Sequence, residues 1–384
     1  MTGRLPLKRI TRLAYGDALA ADIRVEGEYA VVGSGGASGT HSSRNFRAPG
    51  IVIGRKGSYG SIHWIPGGGF AIDTAYYIDE TCTSADLRWL YYALQAVDLR
   101  GVSQDVGVPG LSRESAYQVL LPVAPPLEEQ RRIADFLDVE ASRIDSLDAY
   151  RSVQLKLLSD RDRAMLDLTF REARSGAPTR LKYLFSVRPR YGVLVPVFTD
   201  EGVPFIRVND LLDLEGRAEG LRNISSELSA QYARSVIQPG DLLMSVVGTL
   251  GRAAIAPSSL TGANIARAVC SMRFMPDVEV QLVKAWLGTS SFHEQARLAT
   301  STDTAQPTLG MEDLGNFSLT WPSDSQERKN LVREIARTQS LTRSLSEKLE
   351  RQKEVLAERR QALITAAVTG QIDVSTASGR GIEE

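Results

Sequence analysis

Apolar positions spaced alternately four and three residues apart run through two long segments of the chain, at about residues 126–170 and 323–367. This spacing keeps one apolar stripe facing a partner helix, which is the pattern of a coiled coil. Each segment is predicted to be one helix of about 45 residues, or about 65 Å at 1.5 Å per residue. The predicted seam residues are Ile133, Leu137, Ile144, Leu147, Leu158, Met165, Leu331, Ile335, Leu345, Leu349, Leu356 and Leu363.

Polar residues interrupt the stripe at matching places in both segments, as Gln154 and Gln352 and as Arg161 and Arg359. One interpretation is that the stripe drifts around the helix and leaves these side chains partly exposed. The other hypothesis is that the helices pack antiparallel and bury these residues, which then fix the register as a buried polar group can. The sequence leaves both interpretations open.

Short apolar runs bounded by glycine and proline precede each long helix. The runs GIVI at 50–53 and GDLLMSVV at 240–247 indicate buried strands. The segments ADLRWLYYALQAV at 85–97 and VQLVKAWLGTSSFHEQA at 280–296 indicate helices. Each long helix is therefore predicted to follow an α+β globule of ordinary domain size.

The chain contains an internal duplication, because four motifs recur in the same order. The paired motifs are LPLKRITRLAYG with TRLKYLFSVRPRYG, APGIVIGRKGSYGSIHWIP with QPGDLLMSVVGTLGRAAIAP, VPGLSRESAYQVLLP with QPTLGMEDLGNFSLTWP, and PPLEEQRRIADFLD with PSDSQERKNLVREI. The predicted fold class is an internally duplicated α+β protein, in which two globules alternate with two long antiparallel coiled-coil helices in a pseudo-two-fold arrangement. The predicted segments are a first globular domain at 1–124, a long helix at 125–175, a second globular domain at 176–321, a long helix at 322–370 and a disordered tail at 371–384.

Composition narrows the possible functions. The 384 residues carry a formal net charge of −1, so any contact with nucleic acid must come from local basic patches. The two cysteines are far apart, which argues against a disulfide framework or a zinc knuckle and favours a reducing cytoplasm. The three histidines are scattered, so no metal site is predicted. No run of about 18 apolar residues occurs, and no membrane span is expected.

The stretch GRKGSYG at 54–60 resembles a phosphate-binding loop, but the chain lacks the sequence GxxxxGK[ST]. It also lacks a [DN]PP[FYW] tetrapeptide and a convincing nuclease pattern, so we predict that the chain is not an enzyme. The second copy has VVGTLGR in the place of RKGSYGS. The shared G[ST]xG is therefore predicted to be a tight turn after a strand, with glycine at positive φ. Arg55 and Lys56 do not recur in the second copy.

Polar residues on the globule loops are the candidates for contact with DNA. Arginine matches guanine and asparagine matches adenine in hydrogen-bonding geometry, and Arg207 and Asn209 would share one face of a strand. The competing interpretation of each residue is a solvated loop or a surface ion pair. The predicted DNA contacts are Thr40, Arg44, Asn45, Arg55, Lys56, Arg207, Asn209, Arg252 and Arg267.

The order of the duplicated motifs resembles that of the specificity subunits of type I restriction-modification systems. The residues that carry the resemblance are PPLEEQRRIADFLD, GDLLMSVVGTLGRAAI, VPFIRVNDL, QPTLGMEDLGNFSLTWP and ERRQALITAAVTGQID, and they cover nearly the whole chain. The resemblance implies two recognition domains that each read one part of a split, asymmetric double-stranded DNA target. It also implies that the helices act as a ruler and as the docking surface for two methyltransferase subunits.

The same resemblance implies that S-adenosylmethionine is bound by the methyltransferase subunits and that ATP and Mg²⁺ are bound by separate restriction or motor subunits. This chain itself is then expected to bind no cofactor and no metal, and to work in the cytoplasm away from membranes. The alternative is a coiled-coil scaffold whose globules bind protein without reading a DNA sequence. The second copy departs from the PPxxEQ pattern, which leaves the start of its long helix uncertain.

Overall fold

The computed structural model describes residues 3–101, 110–300 and 308–374. The chain forms two compact units, one made of residues 1–152 with 350–384 and the other of residues 153–349. Each unit therefore contains one globule together with one part of each long helix.

The first unit is built on short sheets. Its strands are β1 (Arg4–Pro6), β2 (Ala14–Tyr15), β3 (Tyr29–Gly33), β4 (Gly36–His41), β5 (Gly50–Gly54), β6 (Ile62–Ile65), β7 (Gly69–Ala71), β8 (Ala75–Ile78) and β9 (Leu120–Pro122). One sheet has the antiparallel order β2-β8-β5-β6, and a second has the order β4-β3-β7 with β3 and β7 parallel. The helices are α1 (Leu87–Gln95), α2 (Arg113–Gln118) and the long α3 (Leu127–Arg171), whose first part belongs to this unit.

The second unit repeats this plan. Its strands are β10 (Gly176–Arg180), β11 (Phe185–Tyr191), β12 (Phe198–Thr199), β13 (Val203–Ile206), β14 (Arg222–Ile224), β15 (Leu242–Ser245), β16 (Ala253–Ile255), β17 (Asn264–Ile265), β18 (Val269–Phe274) and β19 (Ser318–Pro322). The helices are α4 (Ser226–Gln231), α5 (Val280–Trp286), α6 (Ser290–Ala299), α7 (Met311–Asn316) and the long α8 (Ser325–Val368), which begins in this unit.

The sheet topology confirms the duplication and the α+β fold class. The order β11-β18-β15-β16 in the second unit matches β2-β8-β5-β6 in the first. The parallel pair of β13 and β17 matches that of β3 and β7, and the antiparallel pair of β10 and β19 matches that of β1 and β9. A buried tryptophan anchors each core, Trp89 in the first unit and Trp286 in the second.

The long helices run antiparallel inside each unit. In the first unit, Arg360 Nε donates to Asp145 Oδ1 at 3.1 Å, and Lys353 Nζ donates to Ser152 Oγ at 2.9 Å. In the second unit, the Thr342 hydroxyl donates to Asp162 Oδ1 at 2.7 Å. Residues with higher numbers on α3 contact residues with lower numbers on α8, as expected for antiparallel helices.

The seam departs from the predicted one at Leu147, which is 44% exposed. The half-buried position is the next residue, Asp148, whose carboxylate lies 3.9 Å from Lys353 Nζ. The alternating spacing of four and three that links Leu137, Ala141 and Ile144 continues to position 148. The polar Asp148, and not Leu147, therefore faces the partner helix. Of the other predicted seam residues, four are buried and seven are half-buried: Ile133, Leu137, Ile144, Ile335, and then Leu158, Met165, Leu331, Leu345, Leu349, Leu356, Leu363.

Gln154 and Gln352 are exposed, so the hypothesis that they are buried to fix the register is wrong. Arg161 and Arg359 are exposed as well. On α8, a regular heptad would place Gln352 in the seam, three residues after Leu349. The next half-buried residue is instead Lys353, four residues after Leu349. An extra step of four shifts the seam by one residue, because 3.6 residues per turn do not divide evenly into heptads.

The start of α8, which the sequence left uncertain, is capped by an aspartate. Asp324 Oδ1 accepts from the Gln326 backbone N–H at 2.9 Å, so Asp324 caps the first turn. At the other end, Gly370 has a φ of +70° and the Gln371 N–H donates to Ala366 O at 2.9 Å, which closes the helix.

The predicted disordered tail is wrong for its first four residues. Val374 is buried and Ile372 packs against the core of the first unit. Residues 375–384 of that prediction lie outside the described part of the chain.

One buried polar residue locks the start of each long helix to its globule. In the first unit, Gln130 accepts from the Asp86 N–H at 2.7 Å and donates to Pro125 O at 2.7 Å. In the second, the equivalent Arg328 donates to the carbonyls of Ser323 at 2.9 Å and Asp277 at 3.1 Å. Both side chains are buried, Gln130 at 5% and Arg328 at 6% exposure. Where the second copy departs from PPxxEQ, arginine replaces the glutamine, but Arg328 keeps the position and role that Gln130 has in the first copy.

Candidate nucleic-acid interface

One edge of each unit gathers three turns, and we call it the turn edge. In the first unit it comprises residues 33–35 after β3, residues 54–61 between β5 and β6, and residues 72–74 between β7 and β8. Backbone hydrogen bonds hold these turns together. The Arg55 N–H donates to Thr74 O at 2.8 Å, and the Ile72 N–H donates to Val32 O at 3.0 Å.

The turn edge of the second unit comprises residues 207–209, 245–252 and 266–268. Its hydrogen bonds match those of the first unit. The Val246 N–H donates to Ala268 O at 2.9 Å, and the Ala266 N–H donates to Ile206 O at 2.9 Å. The same backbone frame therefore supports both turn edges.

The GRKGSYG stretch is a turn of this frame. Gly57 and Gly60 have φ values of +69° and +73°, and Gly248 and Gly251 have φ values of +73° and +81°. This confirms the predicted G[ST]xG turn. The turn joins strand β5 to strand β6, whereas a phosphate-binding loop leads from a strand into a helix whose N-terminal N–H groups hold the anion. The nucleotide-loop interpretation is therefore not supported.

The side chains on this shared frame differ between the units. Arg207, Asn209, Arg252 and Arg267 occupy the second turn edge, where the first unit has Gly33, Gly35, Ser61 and Asp73. Arg55 and Lys56 occupy the first turn edge, where the second unit has Val246 and Val247. Lys56 and Val247 each form an isolated β-bridge, to Gly110 and Thr308 respectively, which fixes this correspondence. The cations thus stand at different places on the same edge.

In the second unit the polar groups are partly tied to one another. Arg252 Nη1 donates to Asn209 Oδ1 at 3.4 Å. The Arg207 guanidinium pairs with the buried carboxylate of Asp210, with its Nε 3.1 Å from Oδ2. Strand β13 ends at Ile206, so Arg207 and Asn209 lie in the following turn and do not share a strand face as predicted. Arg267 is exposed.

Each unit has a tyrosine at an equivalent position next to its turn edge, Tyr15 at the end of β2 and Tyr191 at the end of β11. Burial raises the pKa of Tyr191, and its neutral hydroxyl donates to Leu309 O at 2.9 Å. In the first unit the equivalent carbonyl, of Leu111, accepts from Tyr76 at 3.0 Å, and burial raises the pKa of Tyr76 to about 12. The Tyr15 ring instead contacts two arginines. The Arg55 guanidinium carbon lies 5.1 Å and that of Arg113 lies 4.8 Å from the Tyr15 ring centre.

Thr40, Arg44 and Asn45 are not brought to the turn edge. Thr40 and Arg44 lie near the start of β3, because His41 pairs with Tyr29 and the Arg44 guanidinium lies 5.6 Å over the Tyr29 ring. Thr40 Oγ1 accepts from the Gly27 N–H at 3.5 Å.

The Asn45 amide is occupied. It donates to Asp17 at 2.8 Å and to Ala71 O at 2.9 Å, and it accepts from the Ala71 N–H at 2.7 Å. The Asn45 amide therefore helps to hold its loop to the fold, and the contact of Asn45 with DNA stays a prediction.

Sequence reasoning missed Tyr15 and Arg113. A signal for Tyr15 was present, because YG ends the first duplicated motif in both copies. Arg113 had no such signal, because Met311 occupies its place in the second copy. It also lies 58 residues from Arg55, the other arginine that contacts the Tyr15 ring.

Within residues 3–101, 110–300 and 308–374, no group of three or more His, Cys, Asp or Glu side chains is arranged to hold a metal ion. Among the same residues, no helix is both long and apolar enough to cross a membrane.

Comparison with known proteins gives one sequence relative and several solved structures. No family model matches the chain. The chain is 27% identical over 320 residues to the type I restriction enzyme EcoBI specificity subunit of Escherichia coli, covering 74% of this chain. The match spans 65% of that relative's length, which is less than two thirds.

Among solved structures, a chain from a study of complex assembly and conformational transition of the type I R-M system has a TM-score of 0.64 at 16% identity. The similarity covers 96% of this chain and 98% of that one. The type I S subunit from M. genitalium has a TM-score of 0.42 at 15% identity, and the HsdS subunit from Thermoanaerobacter tengcongensis has one of 0.44 at 17% identity. Each covers 96% of this chain, with 96% and 97% of those chains covered. The sequence similarity to the EcoBI specificity subunit confirms the resemblance that the duplicated motifs predicted, and the structure with a TM-score of 0.64 shows the same fold.

Proposed function

We propose that this chain is the DNA sequence-specificity subunit of a type I restriction-modification complex. Each globule would read one part of a bipartite, asymmetric target in double-stranded DNA. The observation that carries this proposal is the shared turn edge with non-identical cations. Two equal frames with different side chains are what reading two different half-sites requires.

The chemistry of the turn edges supports contact with DNA. Arginine can donate two hydrogen bonds to guanine or to a phosphate, and asparagine can do the same for adenine. Arg267 and Lys56 are exposed at these edges, and Arg252 is half-exposed. The formal net charge is −1, so these local cations would have to supply the attraction to phosphate.

The partners belong to the same proposal. We propose that two methyltransferase subunits dock on this chain, and that restriction or motor subunits join the complex. S-adenosylmethionine, ATP and Mg²⁺ would be bound by those subunits, and this chain would act without catalysing a reaction itself. The similarity to the EcoBI specificity subunit supports this role, although the match spans 65% of that protein.

A coiled-coil scaffold that binds only protein is less favoured. Such a scaffold gives no reason for one backbone frame to carry cations at different places in its two copies. The relative that matches is also described as a specificity subunit.

Long-read methylome sequencing tests the proposal directly. A host without other methyltransferases would express the chain with its cognate methyltransferase subunit. We expect one split motif, methylated on both strands. A methyltransferase subunit that is active but modifies no split motif would overturn the proposal.

A further inference from the structure

The Tyr15 ring in the first unit lies between the β5–β6 turn and the start of α2. Arg55 approaches from the turn and Arg113 from the first residue of α2. With their guanidinium carbons 5.1 Å and 4.8 Å from one ring centre, the two charges lie within about 10 Å of each other. The Tyr15 side chain is 42% exposed, so solvent and ligands can reach the group.

The positive charge of this group is only weakly compensated. Arg55 Nη1 donates to a neutral carbonyl, that of Asp73, at 3.2 Å. The Arg113 Nε lies 4.0 Å from Glu114 Oε1, at the limit of an ion pair, and the Glu114 side chain is 78% exposed. An exposed pair at this distance contributes little, so the two guanidinium groups together favour an anion.

The group is specific to the first unit. The tyrosine is kept as Tyr191, but Val246 and Met311 replace the two arginines. The shared fold therefore does not require the arginines, since the second unit forms the same turn edge without them.

We propose that Arg55 and Arg113, positioned by the Tyr15 ring, bind a phosphate of the DNA backbone beside the half-site of the first unit. This rests on the proposed function. A phosphate suits the group better than a base edge, because two cations on one exposed ring match the charge of an anion. Tyr15 is a positioning residue, since its ring holds both guanidinium groups and its own hydroxyl is not needed.

The test is the salt dependence of DNA binding by the full-length chain in complex with its methyltransferase subunit. Two duplexes are used, one with the methylated motif and one with a scrambled motif. Each phosphate contact contributes about 0.9 to the slope of log K against log salt. We expect R113Q and R55Q each to reduce the slope on both duplexes by at most about 0.9, because the two arginines share one phosphate. The motif that the complex methylates should stay the same.

Tyrosine variants separate positioning from folding. Y15F keeps the ring and should bind like the wild type, whereas Y15L should reduce the slope at least as much as either arginine variant. R143Q removes one exposed charge from α3 in the same unit and should leave the slope unchanged. The melting temperature of each variant shows whether the fold is kept.

An unchanged slope in a folded R113Q variant would overturn the proposal, and so would Y15F behaving like Y15L. The proposed function fails separately, through the wild-type complex binding both duplexes equally well. In that case the slopes of the arginine variants would still decide whether this group binds phosphate.

Discussion

The Thr342 hydroxyl donates a 2.7 Å hydrogen bond to Asp162 Oδ1 between the paired helices of the second unit. Thr342 is 6% exposed and Asp162 is half-buried. The equivalent position in the first copy, 198 residues earlier, is the apolar Ile144. The seam thus accepts a polar pair where the partner helix supplies a matching group.

Replacing Thr342 with Val should destabilise the second unit. The variant keeps the shape of the side chain but leaves the half-buried Asp162 carboxylate without this donor, which costs about 2 kcal/mol for a bond to a charged group. The unfolding midpoint in urea measures the loss. T342S keeps the hydroxyl and should lose less than half as much. Equal losses in both variants would show that the hydrogen bond is not the cause.

The glycine turn of the first unit should tolerate alanine at only one nearby position. Gly57→Ala places a side chain at positive φ, which costs about 1–2 kcal/mol. Gly60→Ala should cost more, because its Cβ would lie 2.8 Å from Arg100 Cγ and 3.2 Å from the Arg100 backbone N. Gly35→Ala is the control, since a Cβ there meets nothing within 4 Å. The thermal midpoint should be highest for Gly35→Ala, lower for Gly57→Ala and lowest for Gly60→Ala. Any other order contradicts this account.

The lock at the start of α8 should depend on the reach of Arg328. Arg328→Ala removes three donated hydrogen bonds, to Pro322 O, Ser323 O and Asp277 O, and leaves these buried or part-buried carbonyls without that donor. We expect a loss of about 3 kcal/mol, since each unpaired buried group costs about 1–3 kcal/mol. Arg328→Gln imitates Gln130 and should restore part of the stability. Hydrogen exchange at the start of α8 measures the opening, and equal protection in both variants would contradict the lock.

Asp79 should make the first unit less stable in acid. Burial acts to raise its pKa, but hydrogen bonds from the Arg47 N–H at 2.9 Å and from Thr81 outweigh burial, so the pKa is lowered. A carboxyl with a lowered pKa stabilises the fold above its ordinary pKa and loses that contribution as the pH falls through the folded value. The stability difference between wild type and Asp79→Asn should therefore narrow from pH 7 to pH 3. A constant difference would contradict this.

Sequence patterns predicted the repeating frame well, because backbone geometry leaves a local signature. The glycine spacing of GSYG and GTLG predicted both turns. The apolar spacing predicted helices whose observed bounds, Leu127–Arg171 and Ser325–Val368, agree with the predicted segments to within two residues. The seam was less predictable at Leu147 and Gln352. A shift of one residue in helical phase decides which side chain is buried, and an apolar residue beside the seam looks like a member of it.

The candidate site was predictable only in part. Asn45 looked like a DNA contact in the loop sequence, but its amide is used by Asp17 and Ala71, which are distant in the chain. The arrangement of Arg113 around Tyr15 depends on tertiary contacts that no spacing encodes. Side-chain type predicts what a residue can bind, whereas the fold decides whether its polar atoms are free to bind it.

Methylome sequencing of the wild type and of Arg267→Ala, each with the same methyltransferase subunit, tests the central claim most directly. Arg267 is exposed on the turn edge of the second unit, where the first unit has Asp73. We predict that the wild type modifies one split motif, and that Arg267→Ala relaxes or weakens one half of that motif and leaves the other half intact. Changes in both halves, or no split motif with an active methyltransferase subunit, would contradict the claim that the two turn edges read separate half-sites.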